Sequence, residues 1–252
     1  MPNFKLGKSP KKFHPKTLML SKYLTGELPA PAEKVFREYK IPDNAKQMFG
    51  NDQYGCCTCA GQANLLINET CHTGTVVIPT EDEVLNMYSA ITGFNRTTGA
   101  NDNGAAMTDV LSYMQTTGLA GHKILAWAEI DITNLEHRKL ACQLFGATYV
   151  GVNLPSQAQN QFVEGQQCNW EVVPGDTIEG GHCIIRPGYG FQGDDYVTWG
   201  NWFVKASAAW SSTYVEEEYV VISEDWINQA TKLTPGGLDL VTLQADLALL
   251  KG

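Results

Sequence analysis

The chain reads as an α+β protein, with a helical half followed by a strand-rich half. Two patterns carry this reading. Helix-period apolar stripes occupy residues 59–118, and short β-branched or aromatic runs occupy residues 147–223. Helices first and strands second fits a helical lobe packed against a β lobe, and a cleft between lobes is a common place for a site. The 252 residues are 43% apolar and 18% charged, which suits a globular body.

In chain order, residues 1–45 read as an extended, basic, proline-punctuated arm. Residues 1–22 carry six of the 18 basic residues and none of the 27 acids. Pro10, Pro15, Pro29, Pro31 and Pro42 break any long helix, leaving room for a short one over Ala32–Tyr39. The plain reading of Lys8-Ser9-Pro10-Lys11-Lys12 is a solvated arm, and contact with the acidic body is the alternative. A first helix is expected from Cys59 to about Thr70, burying Cys59, Ala63, Leu66 and Ile67. Thr80-Glu81-Asp82-Glu83 is a capping box ahead of a stripe at Val84, Met87, Tyr88 and Ile91. Residues 95–103 read as loop. Met107, Val110, Leu111 and Met114 then mark a third helix ending near Gly118, and a weaker fourth covers about Asn134–Phe145.

Strand-like runs follow at Ala147–Val152, His182–Pro187, Tyr196–Val204 and Tyr219–Ser223, with residues 154–180 loop-rich. Pro235-Gly236-Gly237 interrupts the chain before a terminal helix marked by Leu238, Val241, Leu243, Leu247 and Leu250. That helix, in a C-terminal extension over 228–252, is expected to strap the body or to make an oligomer contact.

The net charge of −9 argues against nucleic-acid binding by the body. No 18-residue apolar run marks a membrane span, and no apolar signal core stands at the N-terminus. Seven cysteines cannot all pair, so a reducing, intracellular setting is favoured, with secretion after processing left open. The sequence leaves the oligomeric state undetermined.

The stretch richest in chemistry is Asn51 to Gly61, where Cys56, Cys57 and Cys59 stand at a helix start. Unpaired N–H groups and the dipole there favour a thiolate. A zinc site wants a second ligand pair, and Cys71, Cys142, Cys168 and Cys183 are isolated, so no metal is expected. A Cys56–Cys59 redox pair wants an apolar strand upstream, which is absent. Nucleophilic catalysis needs an imidazole. His182, in Gly180-Gly181-His182-Cys183-Ile184-Ile185, leads an apolar strand and is the candidate, with a satisfied core histidine as the bland alternative. His14, His72, His122 and His137 lie in polar surroundings.

Several blocks together resemble the papain-like cysteine peptidases. Gln53 precedes Cys59 by six, and Cys56-Cys57-Thr58-Cys59-Ala60 partly matches that family's Cys-Gly-[Ser/Ala]-Cys-[Trp/Tyr] signature. His182 and Asn201 lie 123 and 142 residues beyond Cys59. His182–Gly190 is similar to the family's histidine strand. Tyr196–Phe203 is similar to its Asn-Ser-Trp strand, Asn103-Gly104-Ala105 to its Asn-Gly-Gly segment, and Glu218–Ile222 to its final strand. The match runs over about residues 45–225, with the order of blocks preserved.

The resemblance implies a two-lobe fold over 46–227, with a helical lobe at about 59–118 and an antiparallel, barrel-like β lobe at about 119–227. It implies an endopeptidase acting on peptide or protein substrates through an acyl-thioester, with no cofactor. Cys59 would be the nucleophile, His182 the base and Asn201 the group orienting the imidazole. Gln53 would complete the oxyanion hole. Asn103, Gly104, Ala105 and Gly181 would line the substrate groove, and Phe203 would shield the His–Asn contact.

Ala60, Ala105 and Phe203 depart from the family pattern, so a non-catalytic binding or structural protein, or a deamidase or transpeptidase, are the other readings. The family's partner for Cys56 is replaced by Asp102, and Cys57 replaces a glycine without a family role. The arm is too short for the family's full pro-segment, and a plug, a strap or a partner-binding arm would each fit it.

Overall fold

The computed structural model describes residues 4–226 apart from 16, 23–29, 36–41 and 74. The terminal helix expected after Gly237 lies outside the described residues. So does most of the short helix expected over 32–39, whose described Val35 is extended and bridges Tyr189, N to O at 2.9 Å.

The elements run β1 (Leu18–Met19), α1 (Cys57–Thr73), α2 (Glu81–Thr92), α3 (Met107–Thr116), β2 (Ile124–Glu129), α4 (Leu135–Phe145) and β3 (Thr148–Pro155). Then come α5 (Ser156–Gln161), β4 (Cys168–Trp170), β5 (Ile178–Gly190), β6 (Gly193–Thr198), β7 (Trp202–Ser207), α6 (Ala208–Tyr214) and β8 (Val215–Ser223). The expected α+β order holds. The capping box forms as read: Glu83 N donates to Thr80 Oγ1 at 3.2 Å, and Thr80 N donates to Glu83 Oε2 at 2.7 Å. Asn134 caps α4 by accepting from His137 N at 3.1 Å. The start of α1 differs from expectation. The helix begins at Cys57, two residues before Cys59.

One eight-stranded sheet has the order β1-β2-β8-β3-β5-β6-β7-β4. Its inner pairs are antiparallel, while both edge pairs, β1–β2 and β4–β7, are parallel. Those edges come from segments read as irregular. β1 belongs to the arm, and β4 with α5 lies inside 154–180.

Helix α1 runs between the helical lobe and the sheet, and its residues 57–70 are buried on every side. It approaches the sheet closely at Gly61, where a Cβ would stand 2.9 Å from the Tyr149 ring and 3.0 Å from Cys183 Sγ. Tyr149 Oη donates to Thr58 O at 2.7 Å, which ties the helix start to β3.

Behind the sheet, α4 carries a buried charge network. Arg138 and Arg186 both donate to Glu218, at 2.7 Å through Arg138 Nε and 2.9 Å through Arg186 Nε. Each also reaches Asp194, at 3.3 Å. Burial alone would raise the Glu218 carboxyl, and the two guanidinium groups outweigh it and hold it near 2.

The arm docks on the body, with Gly7 and Lys8 buried and residues 10–13 exposed. Lys5 pairs with Asp102 at 2.6 Å, Lys12 with Asp109 at 2.7 Å, and Lys11 with Glu129. Lys8 is buried against Glu216 and Glu217. Among the described residues no helix is long and apolar enough to cross a membrane, and no disulfide joins the seven cysteines.

Candidate active site

The start of α1, the head of β5 and the turn after β6 meet behind the arm. Their contacts sort the candidate residues of the sequence into those that the cleft brings together and those it does not.

Cys57 is the thiol set against the arm and β5. It opens α1, it lies within hydrogen-bonding reach of the backbone of Gly7 and of Cys183, and it feels the charge of Lys8. Burial pushes this thiol up to about 11, and those three neighbours pull the other way. Cys59 sits two residues into the helix with Cys57 and Thr58 as its polar neighbours, and burial raises it further. Neither Cys57 nor Cys59 has a hydrogen bond to His182. Cys56 Sγ is directed to Phe49 O at 3.5 Å.

Asn51 and Gln53 separate in the same way. Asn51, six residues before Cys57, is buried at 4% exposure, with its Oδ1 lacking a hydrogen-bond partner. Gln53 is exposed, and its amide points to Asp52 at 3.4 Å. The frame Asn51…Cys57 has the same six-residue spacing as Gln53…Cys59, and that spacing was the signal available for it.

His182, on β5 opposite Val152, is fully buried. Its Nε2 lies 3.0 Å from Thr198 Oγ1, and its ring stacks on Trp199 with centroids 4.5 Å apart and planes 21° apart. Its Nδ1 is buried and has no hydrogen-bond partner. Burial lowers the imidazole to about 3, so it is neutral in this structure.

The structure differs from expectation at Asn201. Its Nδ2 donates to Ala45 O at 3.3 Å, its Oδ1 makes no hydrogen bond, and its backbone has φ 61°. Gly200 and Asn201 are both left-handed, at φ 61°, just after Trp199. Thr198 and Trp199 therefore hold the positions against the imidazole that Asn201 and Phe203 were expected to hold. Phe203 stands opposite Val197 and packs against the core that holds Cys57 and Cys183.

The groove residues do come together around the arm. Ala105 N donates to Gly7 O at 2.9 Å, Ser9 N donates to Ala105 O at 3.0 Å, and Lys8 N donates to Gly181 O at 2.9 Å. Gly104, at φ 80°, lies so close to Gly7 that a Cβ there would stand 2.1 Å from Gly7 O. Asn103 is exposed beside them. Asp102 ties this loop to the α1 approach, since its Oδ1 accepts from Gly55 N at 2.8 Å and from Tyr88 Oη at 2.9 Å. A hydrogen-bonded carboxylate thus links the loops that a disulfide to Cys56 would have linked.

Solved structures similar to this one are cysteine proteases. Xylellain, a cysteine protease from Xylella fastidiosa, superposes with a TM-score of 0.64 at 15% identity, over 87% of this chain and 96% of that one. Digestive procathepsin L 3 of Tenebrio molitor larval midgut gives 0.60 at 12% identity, over 86% and 75%. The proform of the ragweed pollen cysteine protease Amb a 11 gives 0.57 at 13% identity, over 79% and 67%. No family model matches the sequence, and no curated protein matches it. The chain has a papain-like fold.

Proposed function

We propose that the chain is a cysteine peptidase whose nucleophile is Cys57. The observation that carries this reading is the placement of Cys57 at the helix start, against the backbone of Cys183, the residue next to His182. His182 Nδ1, buried without a partner, is the nitrogen to take the thiol proton. The thiolate then attacks the peptide carbonyl, and His182 returns the proton to the leaving amine as the C–N bond breaks. Water, deprotonated by the same imidazole, cleaves the acyl-thioester and frees the thiol. Thr198 fixes the imidazole through Nε2, and Trp199 keeps water from that contact. The Cys57 backbone N–H and the Asn51 side chain are the oxyanion donors; losing one such donor typically costs about 10²–10³ in rate.

The test is covalent labelling by a peptidyl epoxide, with the modified cysteine mapped by mass spectrometry. It is best run in Lys8→Ala, whose arm has lost its buried ion pairs. Label on Cys57, lost in His182→Ala, is the expected result. Label that stays on Cys59 in the Cys57→Ala protein, and needs His182, would return the nucleophile to the original frame with Cys59, His182 and Asn201.

A second reading has its own support. The arm fills the groove, and the thiol and imidazole are both neutral in this state, as suits a fold kept for binding without turnover. Fluorogenic peptides separate the two: turnover by Lys8→Ala that Cys57→Ala abolishes belongs to the peptidase alone.

A further inference from the structure

We propose that the buried pocket now filled by Lys8 selects the substrate, and that it takes a lysine or arginine side chain of an extended peptide. The proposal rests on the peptidase reading for turnover, while the pocket's preference for a cation stands on its own geometry.

The backbone of residues 7–9 lies across the groove as a peptide would, bonded to Ala105 on one lobe and Gly181 on the other. From there the Lys8 side chain turns inward, with 1% exposure. Its ammonium meets Glu216 Oε2 at 2.7 Å and Glu217 Oε1 at 3.0 Å, and a third proton reaches Ser9 O at 3.2 Å. Tyr219 Oη holds Glu217 in place at 2.6 Å.

The channel for the aliphatic stem is built into β3. A Cβ at Gly151 would stand 2.4 Å from Lys8 Cε and 2.6 Å from Met107 Sδ, so only glycine leaves room for a long side chain. Two carboxylates face one ammonium here, and Glu217 is itself buried. A peptide that replaced the arm and offered an apolar side chain would leave that buried charge unpaired, which is far costlier than forgoing an exposed pair. The other arm contacts, such as Lys5 to Asp102 and Lys12 to Asp109, are partly exposed and add little. The groove is thus built for an occupant that brings its own cation.

The experiment uses the full-length Lys8→Ala protein and two fluorescent pentapeptides. One has the arm sequence Lys-Leu-Gly-Lys-Ser, and the other has norleucine in place of its second lysine. Anisotropy is expected to show the lysine peptide binding at least ~30-fold tighter, the scale of a charge-assisted hydrogen bond. Adding Glu217→Gln is expected to remove most of that difference while leaving the norleucine peptide unchanged. Gly151→Ala, which closes the channel and keeps the charges, is expected to weaken the lysine peptide, and it serves if the glutamine variant does not fold. Equal binding of the two peptides, or a lysine preference that survives both substitutions, overturns the proposal. In a cleavage library, turnover with no basic preference at any position also overturns it. A binding preference without any cleavage keeps the pocket and removes the peptidase reading.

Discussion

Burial sets the chemistry of single residues at this site. A neutral imidazole with one nitrogen on a threonine hydroxyl needs that hydroxyl for its orientation. Thr198→Val keeps the shape and removes the hydrogen bond. It is expected to cost about 1–3 kcal/mol in urea unfolding, because Nε2 is then left buried and unpaired. Under the peptidase reading it also lowers kcat/KM with little change in KM, while Thr198→Ser restores both. Asn201→Ala is expected to leave kcat/KM nearly unchanged. A larger loss at Asn201 than at Thr198 would give the orienting role back to the asparagine. Sequence alone could not separate these two residues. Asn201 stands five after Tyr196 as the resemblance asks, and only the structure shows that the hydroxyl bonded to the imidazole is that of Thr198, while the Asn201 amide donates to Ala45 O. The same ambiguity of spacing hid Cys57 and Asn51, since two frames offset by two residues both keep six positions between amide and thiol.

At the scale of elements, what was legible was what local chemistry decides. The capping box of α2 and the apolar stripes of α2 and α3 each act within a few residues, so the pattern alone placed these helices. The start of α1 was harder, because a helix buried on all sides has no polar face to mark its register. Its packing rests on Gly61, four residues after Cys57. Gly61→Ala gains about 1 kcal/mol of helix propensity. It also drives a methyl into Tyr149 and Cys183, and overpacking of this kind costs about 1–3 kcal/mol. The net expectation is a protein destabilised by about 1 kcal/mol in urea, with Cys57 more slowly labelled because the helix start is displaced. A gain in stability would mean that the helix and sheet can part at no cost.

At the scale of the whole molecule, the arm and the body are joined by charge. Its lysines looked solvated in sequence because their partners, Asp102, Asp109, Glu129, Glu216 and Glu217, come from a loop, a helix and strands far along the chain. Three buried groups then govern stability on the acid side: two are lowered, and Glu69, whose carboxyl burial raises above 4.5, gains stability as pH falls towards 4.5. His182 is held near 3 against an ordinary 6.5, so the native state binds fewer protons than the unfolded chain between those values. Its contribution is complete above pH 6.5 and is lost as pH falls towards 3. Glu218, held near 2 against 4.5, adds a second loss that begins only below about pH 4.5. On the alkaline side Lys8 is raised above 10.5, since its two carboxylates outweigh the burial that would lower it, and its contribution is complete below 10.5 and is lost as pH rises from there through the raised value. Buried thiols held above 9.0, Cys57 among them, lose their contribution from about pH 9 upward, so urea unfolding is expected to show falling stability there. The difference in unfolding free energy between wild type and His182→Gln isolates the imidazole and is expected to fall by about 1.4 kcal/mol per pH unit between 6.5 and 3. A wild-type minus His182→Gln difference that stays flat from pH 6.5 down to 4.5 would show that the imidazole is hydrated and charged in the native protein.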